Sequence, residues 1–477
     1  MNTATAPSAA LLPEVPAAQQ LQRCAQRRAE LARRIADAGG GVALLPTAPE
    51  RMRNRDAEFP YRHDSYFYYL SAFGEPYSLL ALVVERDGSH HSTLFCRARD
   101  PERETWDGLR FGPDAAREIF GFDAAAPIDE LDALLPALLR DRAAVWWPFG
   151  VHEGLESRVQ SWLQSVRAQA RSGHRAPAAQ YDLCALLDDM RLFKDDHELQ
   201  LMRRAAAISC DAHRRVMRAA GAQAGPDLRE YHLEAELLHA FRAGGAQAPA
   251  YGSIVAAGAN ACILHYRAGN AALQRGSLCL VDAGCEFDGY ASDITRTFPV
   301  GGRFSGAQRE LYEIVLQAQQ EAIAATRPGA RFHEPHEAAL RVLAQGLLDC
   351  GLLSRDAVAD VDGVLESGAY RRFYMHRTSH WLGMDVHDCG DYAEPGEAAR
   401  RLPDASLQPA SRILRAGMVL TIEPGLYVRA APDLPARFHD LGIRIEDDVV
   451  VQARGDCEVL TAAAPKTVSE IEQVMHG

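Results

Sequence analysis

The stretch 278–299, LCLVDAGCEFDGYASDITRTFP, decides how this chain folds. It opens on an apolar run, 278–281, and then presents a carboxylate, Asp282. Asp288-Gly289 follows, a pair that tolerates the positive φ of a tight turn. The chain returns through Ile294-Thr295-Arg296-Thr297-Phe298, whose β-branched residues predict a strand with Asp293 at its start. With Cys285 opposite Tyr290 across the turn, Asp282 falls opposite Asp293. Like charges facing each other destabilise a sheet, and the apolar approach to Asp282 solvates them poorly. A bound cation removes the conflict. The plain alternative is two aspartates that are solvated separately.

Outward from this hairpin, the composition narrows the classes. The chain has 477 residues, 47% of them hydrophobic, which suits two or three domains with full cores. A formal net charge of −13 argues against a nucleic-acid partner. No run of 18 apolar residues exists, so no membrane-spanning helix is expected. The opening MNTATAPSAALLPEVPAAQQ lacks the basic start and apolar core of a signal peptide, and 1–20 reads as a flexible Pro/Ala-rich tail. Ten cysteines contain no Cys-x-x-Cys pair, so neither a disulfide framework nor a zinc ribbon is indicated. Most of them read as buried thiols in a reducing cytoplasm. Cys285 is close to Asp282 but is set aside as a ligand, because its neighbours are hard oxygen donors.

Residues 21–38 read as an amphipathic helix stopped by Gly39-Gly40-Gly41. No Gly-Lys-Ser/Thr follows these glycines, so they end a helix rather than cradle a phosphate. Strand-like runs at 66–70, 79–84, 93–96 and 144–147 mix with helical patterns at 128–139 and 155–166. They predict an α/β domain over 21–181, with 171–180 (RSGHRAPAAQ) as a linker. Further on, helices at 198–218 and 228–241 precede strands at 253–257 and 262–266 and the opening hairpin. Helices at 307–326 and 334–349 precede strand-like runs at 373–376, 419–423 and 443–451. Two helices then several strands, twice over, predict an α+β domain over 182–477. A duplicated unit with a site between its halves accounts for the repeat.

The second half supplies more candidate ligands. Residues 375–388, MHRTSHWLGMDVHD, hold His376, His380 and His387. A lone histidine is usually structural; three beside a candidate cation site are not read that way. Residues 418–425, MVLTIEPG, form a mostly apolar strand that delivers Glu423 before Pro424-Gly425 stops it. An ionised glutamate there is costly unless paired or bound to metal. In 442–448, GIRIEDD, Ile443 and Ile445 face one way, Arg444 and Glu446 the other, with a plain ion pair as the alternative. Asp282, Asp293, His380, Glu423 and Glu446 together are one imidazole and four carboxylates. That is too much negative charge for one zinc. It suits two divalent cations per chain, with Mn2+ favoured and Co2+, Fe2+ or Zn2+ compatible. Two metals roughly 3.5–4 Å apart hold and acidify a bridging water.

The order Asp, Asp, His, Glu, Glu, within VDAGCEFDGYASDITRTFPV, SHWLGMDVHD, TIEPGLYV and GIRIEDDVVV, resembles the M24 "pita-bread" metallopeptidases, and aminopeptidase P most closely. The likeness extends to 61–70 (YRHDSYFYYL) and 104–110 (ETWDGLR). It implies an N-terminal domain of the creatinase/aminopeptidase P type. It also implies a C-terminal pita-bread catalytic domain with pseudo-twofold internal duplication. The activity implied is release of the residue ahead of an N-terminal Xaa-Pro bond by a metal-bridging water. Asp282 then holds one metal alone, Asp293 and Glu446 bridge, and His380 and Glu423 complete the other. Glu423 also takes the proton of the water. His265 and His387 hold the scissile carbonyl or its gem-diolate, His376 helps accommodate proline, and Arg444 orients the site. Tyr251 and Tyr427 match active-site tyrosines, and Asp56 matches an acid donated by a neighbouring subunit, which implies a homodimer or homotetramer.

Two features depart from the family. Arg377 follows His376 where relatives carry a small residue, often glycine, and 389–411 reads as a lengthened loop. Both bear on the pocket and the substrate length it accepts. A prolidase cleaving only Xaa-Pro dipeptides shares the same metals and is the alternative. A non-catalytic binding protein on this fold would have lost ligands, and none is lost.

Overall fold

The computed structural model describes residues 13–221, 225, 227–267, 269–401, 407–408 and 410–477. The chain forms two compact units, Met1–Met190 and Arg191–Gly477. Of the tail expected over 1–20, residues 1–12 lie outside the described residues, and a helix already begins at Ala18.

The first unit is built on a mixed six-stranded sheet. Its strands are β1 (Gly41–Pro46), β2 (Leu79–Val84), β3 (His90–Cys96), β4 (Ala124–Pro127), β5 (Ala144–Trp147) and β6 (Ala179–Asp182), in the order β4-β3-β2-β1-β5-β6. Helices Leu131–Leu139 and Leu155–Arg167 cover one face. Leu131, Leu135 and Leu139 come round at four-residue spacing, as do Leu155, Val159 and Leu163, so each helix lays one stripe on the sheet. Two expectations fail here. The run 66–70 is not a strand but part of helix Ser65–Ser71. Its aromatic residues favour strands, yet Asp64 caps the helix by accepting the N–H of Phe67 at 2.9 Å. The expected linker 171–180 instead turns and enters β6, the sheet's edge. The two units divide after Met190, within helix Cys184–Leu192 that follows β6.

In the second unit, helices Asp196–Ala219 and Glu230–Ala243 lead into β7 (Ala248–Pro249), β8 (Ile254–Ala257), β9 (Leu278–Asp282), β10 (Cys285–Phe287), β11 (Tyr290–Ala291) and β12 (Thr295–Pro299). Helices Gly306–Ala325 and Glu334–Asp349, followed by the short helices Arg355–Val358 and Val361–Ser367, lead into the short pair β13 (Arg400–Arg401) and β14 (Leu407–Gln408). They also lead into β15 (Val419–Ile422), β16 (Gly425–Val428), β17 (Leu441–Arg444), β18 (Asp447–Val450) and β19 (Glu458–Val459). The recurring order of helices and strands is therefore present. The runs 262–266 and 373–376, expected as strands, are a tight helical turn with irregular chain and irregular chain alone. The continuous strand expected over 443–451 is broken: β17 pairs with β16, β18 pairs with β15, and Glu446 stands in the break.

The hairpin register is also corrected. Asp288 and Gly289 both have positive φ, 49° and 79°, so they alone form the turn and Phe287 closes it opposite Tyr290. Asp282 consequently pairs with Thr295, not Asp293. The shift is two residues, which preserves the face. Asp282 and Asp293 therefore remain diagonal neighbours on one side of the ribbon. Gly284 is required where the strands pass, because a Cβ there would stand 1.7 Å from the carbonyl oxygen of Ser292.

Helix Asp196–Ala219 is keyed to the hairpin by His213, fully buried, whose Nε2 donates to the carbonyl of Ala283 at 2.9 Å. Burial lowers its pKa to about 4, against about 6.5 in an unfolded chain. Protonation therefore favours unfolding. His213 stabilises fully above pH 6.5, and the contribution is lost as pH falls from 6.5 to 4. Its size is about 3 kcal/mol. Urea unfolding at pH 7 and pH 4.5 should show the wild type losing more stability than His213→Gln; equal losses would refute this.

Candidate active site

Four carboxylates and one imidazole reach a common cleft from separate elements. Asp282 ends β9, Asp293 precedes β12, Glu423 follows β15 and Glu446 lies between β17 and β18. His380 comes from a segment alongside β15: Thr421 N donates to His380 O at 3.0 Å, and Glu423 N to Thr378 O at 2.8 Å. Pro424 ends β15 and leaves Glu423 facing the cleft, with 17% of its side chain exposed.

Ligand atoms of Asp293, His380 and Glu446 lie within 4.8 Å of one another. His380 Nε2 is 3.6 Å from Asp293 Oδ2 and 3.7 Å from Glu423 Oε1. Its Nδ1 donates to the carbonyl of Trp381 at 3.0 Å, so the Nε2 lone pair points into the cluster. Burial and the neighbouring His387 hold its pKa at about 4, so it is a neutral donor at neutral pH.

The carboxylates are crowded. Burial, then the charge of Asp282, pushes Asp293 up to about 7. Burial, with Asp293 and Asp282 acting against Arg444, pushes Glu423 up to about 8. Glu446 is raised well above the ordinary range by burial and by Asp293, Glu423 and Asp282. Burying several carboxylates side by side is costly unless a cation offsets their charge. Hard oxygen donors with one imaginable remedy, a divalent cation, fit the geometry and the charge.

A hydrogen-bonded frame surrounds the cluster. Tyr251 OH stands 2.7 Å from Asp282 Oδ1 and 2.5 Å from Asp293 Oδ1. Arg444 donates to Asp282 Oδ2, to Tyr427 OH at 3.0 Å and to Thr295 Oγ1 at 3.1 Å. Thr295 in turn donates to Glu446 Oε2 at 2.6 Å. Tyr427 OH donates to His376 Nε2 at 2.9 Å, and His376 Nδ1 donates to the carbonyl of Arg377 at 2.7 Å. Burial holds His376 neutral, with its pKa lowered to about 3.

The cleft, ≈ 500 Å³, is lined by all the expected site residues of the second unit except Tyr427, which sits buried behind His376. His265 and His387 are exposed on its wall, and the His387 ring lies 4.2 Å from that of His380. Asp56 lies in an exposed turn of the first unit, where its N–H donates to Asn54 Oδ1. Cys285 is buried away from the cluster, its Sγ donating to the carbonyl of Ala205. Of the lengthened loop, residues 402–406 and 409 lie outside the described residues.

Several supporting residues had no motif to flag them. Glu230 is fully buried and accepts from Ala257 N, Asn260 Nδ2 and Tyr266 OH at 2.8–2.9 Å, tying down both ends of the loop that carries His265. Asp388 is held by Arg191 at 2.6 Å and Lys194 at 2.9 Å, which fixes the turn that presents His387. Asp447 sits beside Glu446 but is taken up by Arg296 and Lys466, each at 2.7 Å. Against the effect of burial, they hold its pKa at about 2. Their sequence signal was charge at buried positions, which identifies no partner.

A buried cluster of carboxylates with one neutral imidazole, open to a cleft, is the centre of a metal-dependent hydrolase. The chain belongs to metallopeptidase family M24, whose model matches residues 200–453; the aminopeptidase P N-terminal domain matches 24–146. The Xaa-Pro aminopeptidase of Escherichia coli (strain K12) is 42% identical over 436 residues, which are 91% of this chain and 94% of that protein. Xaa-Pro aminopeptidase 3 of Homo sapiens is 35% identical over 442 residues, 91% of this chain and 80% of that protein. The structure of Pseudomonas aeruginosa aminopeptidase PepP is similar with a TM-score of 0.88 at 47% identity, covering 96% of this chain and 98% of that one. The pita-bread fold follows for the second unit. Among the described residues no helix is long and apolar enough to cross a membrane.

Proposed function

We propose that this protein is a Xaa-Pro aminopeptidase, releasing the first residue of peptides whose second residue is proline. The observation that carries the proposal is the convergence of Asp282, Asp293, His380, Glu423 and Glu446 in one cleft. The E. coli and human relatives of that name support it, and the match to an aminopeptidase P N-terminal domain favours it over a dipeptide-only prolidase.

Asp282, Asp293, His380, Glu423 and Glu446 would hold two divalent cations, Mn2+ best suited to four carboxylates and one imidazole. When bound, these would supply Lewis acidity and a water of lowered pKa. The chain's own groups do the rest. Glu423 would take the proton of the attacking water; its carboxylate stands at the cleft edge. His265 and His387, on the wall of the cleft, would donate to the carbonyl oxygen as it gains charge. Arg444 would hold Asp282 and Tyr427 in place, and Tyr427 keeps His376 in one tautomer against the proline ring. Tyr251 would orient Asp282 and Asp293. Asp56 would act from a neighbouring subunit of a homodimer or homotetramer, and the thiols, all free, suit a reducing cytoplasm.

Elemental analysis should find about two divalent metal ions per chain, and chelation should abolish cleavage of Xaa-Pro-Yaa peptides until Mn2+ is restored. Full activity in a metal-free preparation would sink the metal reading. Cleavage of Xaa-Pro dipeptides with none of Xaa-Pro-Yaa would establish the prolidase.

A further inference from the structure

Arg377 and Ser379 stand where the cleft meets a second cavity, and both line both spaces. Phe332, His336 and Tyr392 form other parts of the second cavity's wall. Ser379 is only 8% exposed, and its Oγ has no hydrogen-bond partner. A buried hydroxyl left in this state is costly, and an acceptor from a ligand removes the cost. The exposed Arg377 guanidinium makes no hydrogen bond or ion pair among the described residues.

Two other basic residues that line the second cavity are engaged. Arg331 donates to the carbonyl of Ser411 at 2.8 Å and to Glu397 at 3.1 Å. Burial keeps His336 neutral, its pKa lowered to about 4, and its Nδ1 is engaged with Thr378 Oγ1 at 2.8 Å. Asp391 also lines the cavity. Among the described residues that line the second cavity, Arg377 is therefore the guanidinium left without a partner.

We propose that the second cavity receives the part of the peptide beyond the cleaved bond, where Arg377 and the Ser379 hydroxyl bind a carboxylate, namely the C-terminus of a tripeptide. This rests on the aminopeptidase reading above. Direction follows from charge. The substrate's N-terminal ammonium is drawn to the carboxylate cluster and repelled by Arg377, so the opposite end of the peptide faces the guanidinium. With Arg377, this junction holds a fixed positive charge. The chain should therefore favour short peptides with a free C-terminus.

The test measures kcat/KM for an Xaa-Pro-Yaa tripeptide as its free acid and as its C-terminal amide, with metal content checked for each variant. Wild type should favour the acid by about tenfold, the size of one charge-assisted hydrogen bond. Arg377→Ala should bring the ratio to about one, mainly through KM for the acid, Arg377→Lys should keep part of the preference, and Ser379→Ala should reduce it. A wild-type ratio near one, or the same ratio in wild type and Arg377→Ala, overturns the proposal. If neither tripeptide is cleaved, the aminopeptidase reading falls instead, and the acid-to-amide ratio of Kd values by calorimetry, wild type against Arg377→Ala, decides the subsite.

Discussion

His380→Ala should lose metal and lower kcat/KM by roughly 10³-fold or more, about 4 kcal/mol of transition-state stabilisation. The imidazole is the cluster's one neutral donor, with Nδ1 engaged and Nε2 directed at Asp293 and Glu423. Without it the carboxylates lose the imidazole that completes the cluster. The fold should survive. The ring is part-buried at the floor of an open cleft, and its loss should cost about 1–3 kcal/mol, within a domain stability of about 5–15 kcal/mol. Elemental analysis, circular dichroism and kinetics together check this. A variant with full metal content and kcat/KM within about threefold of wild type, under 1 kcal/mol, would show that His380 is no ligand.

His387→Ala should behave in the opposite way: metal retained, KM near wild type, and kcat lower by about 10²–10³, or roughly 2.7–4 kcal/mol. His387 stands beyond the cluster, exposed to the cleft with its ring against His380. Its turn is not free to drift, because the next residue, Asp388, is fixed by the buried Arg191 and Lys194. A donor held this way would serve charge that develops during reaction rather than the resting substrate. The pair of alanine variants separates ligand from donor in one metal analysis. Unchanged kcat in His387→Ala would reduce the residue to packing, and loss of metal would mean the ligand set is drawn wrongly.

Local chemistry carried much of this molecule in readable form. Helix Glu334–Asp349 coincides with its expected range, as do strands Leu79–Val84 and Ala144–Trp147, because apolar spacing and short apolar runs report burial directly. The acids after the apolar runs at 278–281 and 419–422 stood out because such residues need a partner. Where one local signal opposed another, the reading failed. The aromatic run after Asp64 looked like a strand, and the cap made it a helix. The hairpin register was set by two positive-φ turn residues, and a two-residue error kept Asp282 and Asp293 on one face.

By itself, the sequence determined which residues could bind a cation, and in what order along the chain. Only the tertiary structure decided how each is held. Arg444 bonds Asp282, Thr295 bonds Glu446, and Arg296 takes Asp447 out of the ligand set, across separations of 162, 151 and 151 residues. Periodicity and propensity extend over a few turns of chain. Which buried charge meets which partner across such distances is set by the packing of the two halves, where every desolvated group must find its counterpart.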